Sequence, residues 1–404
     1  MEGLLLLAGA TGVLTALGSL ESLLHRRRLG KTPIRVHVNG TRGKSSVTRL
    51  IAAGLRAGGL RTFAKTTGTL PRMILPDGTE RPVHRITRPN IGEQVRMVAA
   101  AAALEADALV LECMAVQPLL QSVCELEIVR STHGVITNAR PDHLDVMGPG
   151  ERDVARALAG TVPVRGTLFT AERDHLDVLA DAARDRNSRL VAIGDDAVAR
   201  VGAFEVGGFG YIEHPENIAL ALAVCRSLGV DRRTALGGMW KAAPDPGVMT
   251  IARVVARGRS IAFVNGFAAN DPESTAANWK LALRLAPQAR LRIAVVNCRE
   301  DRADRSLQLA ELCRGACAAD RFLIVGTGTG VFLRRAQALG INPLRLRLLE
   351  GQSAPRIFEE IVAISDAPAL VMGVGNIAGI GMELTRCFHE RSAGFDSLTL
   401  QEAA

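Results

Sequence analysis

The stretch that most constrains this chain is Ile34–Arg49, IRVHVNGTRGKSSVTR. Apolar residues alternate at Ile34, Val36 and Val38, which predicts a strand, and Val47, Leu50, Ile51 and Leu55 recur at helical spacing. Between them lies Asn39-Gly40-Thr41-Arg42-Gly43-Lys44-Ser45-Ser46. A glycine turn that leads a strand into a helix N-terminus forms an anion site. The glycines let backbone N–H groups wrap a phosphate, and the helix dipole favours negative charge. Lys44 adds a point charge, and a serine hydroxyl can hold Mg²⁺. The strict phosphate-loop spacing would place glycine at position 38, where this chain has Val38, so the loop is a shortened variant. An ordinary glycine-rich turn is the competing reading. Gly-Lys-Ser in a strand-to-helix context favours a nucleoside triphosphate.

Strands and helices alternate after this point, as in α/β layers on a mostly parallel sheet. Ala108–Leu111 reads as a buried strand ending in Glu112, and His133–Thr137 as another, followed by Asn138-Ala139-Arg140-Pro141-Asp142-His143-Leu144-Asp145. Gly166–Thr170 and Arg189–Ile193 are further strands, and Asn217–Leu228 reads as a helix. Lys241–Gly247, with Pro244, Pro246 and Gly247, is the best linker. Beyond it, strand patterns recur at Ile261–Val264, Leu291–Val296, Phe322–Val325 and Ala369–Met372. The expected layout is a central ATP-binding domain over residues 25–245 and a smaller Rossmann-like α/β domain over 246–404.

The N-terminus carries a different signal. Gly3 to Leu20 contains no charged residue, and His25-Arg26-Arg27-Arg28 follows it. That length is about the minimum for a membrane span. A secretory signal carries its basic residues before the apolar core, not after it. The positive-inside rule then places the N-terminus outside and everything from Arg26 onward in the cytoplasm. Residues 1–24 are therefore expected to be a single anchor helix in the cell (inner) membrane, with a buried or interfacial helix as the other reading.

Among 404 residues the formal net charge is +8 and aromatics make up 3%. With so few rings and no basic run interleaved with them, stacking on bases has little to work with, which argues against nucleic acid as a partner. A diffuse basic balance suits polyphosphate, acidic substrates or an anionic membrane face. It equally suits an ordinary solvated surface. The seven cysteines show no CxxC spacing and read as reduced, buried residues.

In open α/β sheets, functional groups collect just past the carboxyl ends of strands. Three such ends carry polar residues out of character with their strands: Lys44 and Ser45, then Glu112, then Asn138 through His143. Glu112 suits Mg²⁺ beside a phosphate loop, or is simply a strand-end carboxylate in water. His143 between Asp142 and Asp145 suits a metal or phosphate role, or is a surface histidine.

Together these residues resemble the central domain of the Mur ligase superfamily, and within it most closely the ligase subunits of poly-γ-glutamate synthases. The match extends to the anchor-like N-terminus, Lys65-Thr66-Thr67-Gly68-Thr69, Arg88-Pro89-Asn90-Ile91-Gly92-Glu93-Gln94, Phe263–Ser274 and Gly373-Val374-Gly375-Asn376-Ile377. The resemblance implies ATP-dependent amide formation, with ATP and Mg²⁺ as cofactors. A carboxylate attacks the γ-phosphate and the amine of glutamate attacks the acyl phosphate. The acceptor is then acidic polyglutamate, and small integral-membrane subunits of a synthase and export complex are the partners. Homo-oligomerisation stays open.

It also implies roles. Lys44 holds the β/γ-phosphates, Ser45 and Glu112 hold one Mg²⁺, and His143 holds a second ion. Asn39, Gly40, Thr41, Arg42, Gly43, Ser46 and Asn138 bind the nucleotide. Asn217 contacts adenine. Asp301, Arg302 and Arg305 match an arginine segment that closes on ATP and carboxylates, or form a solvated helix start. Thr67, Thr69 and Arg88 face substrate.

Departures from the superfamily pattern qualify this. No nucleotide-sugar domain precedes the loop, which disfavours a UDP-linked substrate. No lysine lies between Lys65 and Lys241, so the second metal has no carbamylated lysine to use. The Pro-Gly-Arg hinge appears as Pro246-Gly247-Val248, and Asn265-Gly266-Phe267-Ala268-Ala269 replaces Asp-Asp-Tyr-Ala-His. A folylpolyglutamate synthase-like enzyme and a non-catalytic, nucleotide-gated scaffold of an export complex are the alternatives.

Overall fold

The computed structural model describes residues 2–68, 70–85, 89–245, 247–269 and 272–392. Thr69, Arg88, Pro246, Asn270 and Asp271, all named above, lie outside the described residues. The chain divides into two compact units, Met1–Gly202 with Glu213–Ala243, and Ala203–Ile212 with Pro244–Ala404.

The first unit is built on eight strands: β1 (Ile34–Asn39), β2 (Thr62–Lys65), β3 (Arg72–Ile74), β4 (Glu80–Pro82), β5 (Ala108–Glu112), β6 (His133–Ile136), β7 (Thr167–Thr170) and β8 (Arg189–Ala192). They lie in the order β4-β3-β2-β5-β1-β6-β7-β8. Every pairing from β2 to β8 is parallel, and β3 and β4 add an antiparallel edge. β1 lies at the centre. Its register sets Val38 opposite Glu112 on one side and Asn39 opposite Ile136 on the other, so the three functional strand ends finish at one level.

Both faces of this sheet are covered, and β5 is buried at every position, as parallel strands flanked by helices on both faces must be. β1 alternates in sequence, yet it does not present a wet face. His37 and Asn39 turn into the interior and are bonded there. His37 Nδ1 lies 2.8 Å from Glu125 Oε2, and Asn39 Nδ2 donates to Gln121 Oε1 at 2.8 Å.

After β1, helix α2 (Lys44–Ala57) packs its apolar side on the sheet, with Val47, Leu50, Ile51 and Leu55 wholly buried. Ahead of β1 stands helix α1 (Glu2–Lys31), of which Leu6–Lys31 is long and apolar enough to cross a membrane. At about 1.5 Å per residue the whole helix spans about 45 Å. Leu6, Leu7, Leu14, Leu17 and Leu20 are exposed. Its last turns are docked: Leu29 enters the core beside Phe63 and Met97, and the His25 ring lies 2.8 Å from the Ile128 carbonyl.

The second unit carries β9 (Thr250–Ala256), β10 (Arg259–Asn265), β11 (Leu291–Cys298), β12 (Arg321–Gly326), β13 (Leu346–Leu348) and β14 (Ala369–Gly375), in the order β13-β12-β11-β14-β10-β9. All pairings are parallel except β9 with β10. Alternate residues feed two cores: Ala262 and Val264 face one, Ile261 and Phe263 the other. All seven cysteines are free and buried, as a reduced set should be.

Candidate active site

The loop between β1 and α2 is shaped by its glycines and by the end of β6. Gly43 has φ +80° and Gly40 φ +130°, both in the region that favours glycine. A Cβ on Gly40 would fall 2.0 Å from Thr137 Oγ1. Asn138 fixes the turn with three of its groups. Its carbonyl accepts Thr41 N–H at 3.0 Å, its Oδ1 accepts the Thr41 hydroxyl at 2.6 Å and Arg42 N–H at 3.1 Å, and its Nδ2 donates to the Arg42 carbonyl at 3.2 Å. α2 starts without a side-chain cap, so no protein side chain competes for its first N–H groups. The Lys44 ammonium folds back on the loop, donating to the Gly40 carbonyl at 2.6 Å and the Thr41 carbonyl at 3.3 Å.

Glu112 completes the mouth of the loop. Its carboxylate is only 2% exposed, and Oε2 accepts the Ser45 hydroxyl at 2.8 Å and the Thr67 backbone N–H at 2.6 Å. Gln94 Nε2 donates to the Glu112 carbonyl at 2.9 Å, tying α3 (Gly92–Ala103) to the same strand end. Beside it, Lys65 Nζ lies 2.5 Å from Glu93 Oε1, and Arg85 grips the same carboxylate through Nε at 2.7 Å and Nη2 at 3.1 Å. Lys65 and Glu93 are buried. Burial draws the Lys65 ammonium below its ordinary value, although Glu93 opposes this.

Asn217 sits in the first turn of the helix Pro215–Ser227 and reaches the loop directly, since a Cβ on Gly43 would lie 2.7 Å from its Oδ1. Its Nδ2 donates to Glu213 Oε1 at 2.8 Å. Burial pushes the Glu213 carboxyl up to about 7, against the hydrogen bonds from Asn217 and His214.

The structure therefore gathers Gly40 to Ser45, Glu112, Thr67, Asn138 and Asn217 past the carboxyl ends of the central strands. Ser46 continues the first turn of α2. Asn39 differs from expectation. Its side chain turns inward to Gln121 and Thr161, because the first residue before the loop still belongs to the buried strand. His143 is half-exposed at φ +46°, with Nε2 3.9 Å from Asp142 Oδ1, and Asp142 in turn approaches Arg42 at 3.6 Å. Among the described residues no group of three or more His, Cys, Asp or Glu could hold a metal, so His143 is not drawn into a ligand cluster. In the second unit, Asp301 pairs with Arg299 at 2.7 Å, Arg302 is exposed ahead of the helix Ala303–Arg314, and Arg305 Nη1 donates to Asn376 Oδ1 at 3.0 Å.

Ser45 and Glu112 fit Mg²⁺. Two hard oxygens suit an ion that keeps several waters and takes its other ligands from phosphate. Sequence reasoning missed Glu213, Glu172 and the Lys65–Glu93–Arg85 cluster as working groups. Glu172 Oε2 accepts Ala139 N–H at 2.6 Å and so steadies the segment after β6. Nothing in the local pattern marks it out.

The Mur ligase middle domain matches residues 38–210, and the poly-gamma-glutamate synthase CapB C-terminal domain matches residues 251–391. The capsule biosynthesis protein CapB of Bacillus anthracis is 38% identical over 379 residues, covering 93% of this chain and 81% of that protein. The PGA synthase CapB of Bacillus subtilis (strain 168) is 36% identical over 387 residues, covering 95% and 98%. Among solved structures, Mycobacterium tuberculosis folylpolyglutamate synthase complexed with ADP and AMPPCP aligns with a TM-score of 0.62 at 18% identity, over 94% of this chain and 99% of that one. The bifunctional folylpolyglutamate synthase/dihydrofolate synthase of Yersinia pestis, complexed with AMPPNP and Mn, aligns at 0.64 and 16% identity, over 90% of each chain. At such identities these two support the fold. The curated relatives, matched over nearly the whole chain, carry more: the chain belongs to the CapB family of Mur-type ligases and is an ATP-dependent ligase that uses a divalent metal.

Proposed function

We propose that this chain adds glutamate to a growing γ-linked polyglutamate, as the catalytic subunit of a membrane synthase. The observation that carries this reading is the Ser45–Glu112–Thr67 contact at the mouth of a glycine loop whose helix starts uncapped. Phosphoryl transfer needs positioning and neutralised charge more than covalent help from protein. The acceptor carboxylate oxygen forms a bond to the γ-phosphorus while the bond to the β–γ bridging oxygen breaks, and ADP departs. Glutamate's amine, having given the extra ammonium proton to solvent, bonds to the acyl carbon while that carbon's bond to the phosphate oxygen breaks, and inorganic phosphate leaves with the second nitrogen proton.

The chain's own groups serve the first step. The N–H groups opening α2 receive phosphate oxygens, and Lys44 exchanges its two loop carbonyls for the β/γ-phosphates. Ser45 and Glu112 would hold Mg²⁺, which would supply positive charge beside the phosphates. Asn217 and Asn138 position the loop. A lysine-free second site leaves His143 and Asp142 as outlying groups near the acceptor. Arg302, Asp301 and Arg305 are assigned to closing on nucleotide and carboxylates, and Thr67 to lining the acceptor side.

In this reading α1 anchors the chain in the inner membrane with both units in the cytoplasm, beside small integral-membrane subunits. The experiment is glutamate-stimulated ADP release, assayed on membranes with labelled D- and L-glutamate. Lys44→Ala should abolish polymer synthesis and leave membrane association intact. Full activity in that variant would remove the phosphate-site assignment, and ADP release indifferent to glutamate would favour a scaffold.

A further inference from the structure

A cavity opens in the first unit, away from the loop mouth. It encloses about 910 Å³ between the middle of α2, the β3–β4 hairpin and the helix Arg232–Met239. Four basic side chains line it, Arg49, Arg56, Arg233 and Lys241, against two acidic ones, Asp77 and Glu80. The acids are already engaged. Glu80 forms a two-pronged pair with Arg49, and Asp77 accepts the backbone N–H and hydroxyl of Thr79 within its own turn. Arg56 Nη1 is buried with no hydrogen-bond partner among the described residues. Arg233 and Lys241 stand exposed at the rim.

Position on the helix gives this cavity its meaning. Residues 45, 49, 53 and 56 fall on one face of α2, since each step is close to a whole number of turns. Ser45, at the metal side of the loop, therefore shares a face with Arg49 and Arg56. The cavity begins about one turn beyond Ser45 and runs about 10 Å further along the helix. Its volume exceeds what one amino acid fills and suits a drug-sized or oligomeric ligand. A guanidinium fork matches carboxylate geometry, and Arg49 already shows that match with a carboxylate of this chain.

We propose that this cavity binds the tail of the acceptor, a chain bearing repeated carboxylates, while its reacting end lies at the loop. The inference rests on the polyglutamate reading above for the identity of the chain. It does not rest on it for the existence of a polyanion site. A tail held here would let successive additions proceed without full release, so short and long acceptors would differ in affinity and not in chemistry.

The test uses the full chain in detergent and measures equilibrium binding of a γ-linked glutamate decamer, free glutamate, inorganic tripolyphosphate and ADP. The double substitution Arg233→Ser with Lys241→Ser lies at the exposed rim and leaves the core untouched. It should weaken the decamer by about five- to thirty-fold, the scale of two partly screened charge contacts, and flatten its salt dependence. ADP and free glutamate should bind unchanged. In turnover, KM for long acceptors should rise while kcat holds. Arg56→Lys, which keeps the charge and loses the fork, should weaken the decamer alone. Unchanged decamer affinity in both variants overturns the proposal, as does tripolyphosphate binding in the cavity where the decamer does not. If the wild type binds the decamer there yet releases no ADP on adding glutamate, the ligase reading fails and the polyanion site stands.

Discussion

Replacing Gly43 by alanine puts a number on how closely the loop and the helix Pro215–Ser227 depend on each other. At φ +80° an alanine costs roughly 1–2 kcal/mol for its left-handed backbone alone. Its Cβ would also stand 2.7 Å from Asn217 Oδ1, so the amide must move. That amide is held by Glu213 at 2.8 Å, and giving up such a bond costs roughly 0.5–1.5 kcal/mol. The expected loss is thus about 1.5–3.5 kcal/mol in the wild-type background. With Asn217→Ala already in place the backbone cost remains and the collision disappears, so the loss should fall to about 1–2 kcal/mol. A double-mutant cycle by chemical denaturation should show coupling of about 1 kcal/mol between the two sites. ADP titrations on the same four proteins should show Gly43→Ala weakening the nucleotide, because a loop leaving its left-handed turn takes N–H groups away from phosphate. Equal losses in both backgrounds, with ADP affinity unmoved, would refute the placement of Asn217 against the phosphate loop.

Three further outcomes follow from buried or exposed groups elsewhere in the first unit. Burial alone would lower His37, but its surroundings, Cys113 and the Glu125 carboxylate 2.8 Å from Nδ1, outweigh it and raise the imidazole to about 10. A base raised in the folded state stabilises fully below its unfolded value near 6.5 and loses that contribution as pH climbs to about 10. Folding free energy should therefore fall between those limits by on the order of a few kcal/mol, read as a lower thermal midpoint, and Glu125→Gln should flatten the profile; a flat wild-type profile counts against the pair. Glu93→Gln strips a carboxylate from buried Lys65 and from Arg85, and should cost roughly 3–5 kcal/mol, whereas Glu93→Met with Lys65→Met should recover much of it. If the double variant is no more stable than the single one, the cost is not an unpaired charge. Deleting residues 1–24 should move the chain to the soluble fraction on centrifugation, since Leu6, Leu7, Leu14, Leu17 and Leu20 lie exposed along that helix; retention in membranes without other subunits would oppose the anchor.

The loop, the central strands and the second layer of α/β structure were legible because each rests on local chemistry. Gly40 and Gly43 announce a turn that needs positive φ, and continuous apolar runs such as Ala108–Leu111 announce strands buried on both faces. β2, β3 and β4 were not anticipated. They are three or four residues long, too short to show a period; β3 and β4 pair only within the local β2–β3–β4 meander, and β2 joins the sheet through β5, more than forty residues away. Asn39 shows the limit in the site itself. Its place in the loop motif suggested phosphate, but which way a strand residue points follows the pleat, and the pleat sends it to Gln121 and Thr161. Glu213 and Glu172 were illegible for a related reason. Each matters only through the backbone or amide it meets after folding.

Strand order explains why one carboxylate can serve two distant segments. In sequence, β2 follows β1 directly through α2, and the shortest arrangement would pair them. Instead β5 is inserted between them, with Val38 opposite Glu112 on one flank and Lys65 opposite Leu111 on the other. The end of β5 thus lies between the start of α2 and the residues just past β2. A single Glu112 oxygen can then accept both the Ser45 hydroxyl and the Thr67 N–H. Adjacent pairing of β1 and β2 would leave no strand end between those donors, and a carboxylate from elsewhere would have to cross a sheet edge to meet them. The insertion also explains the position of the Lys65–Glu93–Arg85 cluster. Lys65 is the last residue of β2, and its pair with Glu93 of α3 fixes the strand end that leads to Thr67. Its buried ion pair is therefore best read as a positioning device, because the desolvation cost of such a pair offsets much of its attraction. A Glu93→Gln enzyme that folds under stabilising conditions should accordingly show weakened Mg²⁺ dependence as well as lower stability. A purely structural role for the cluster would leave the metal titration where it was.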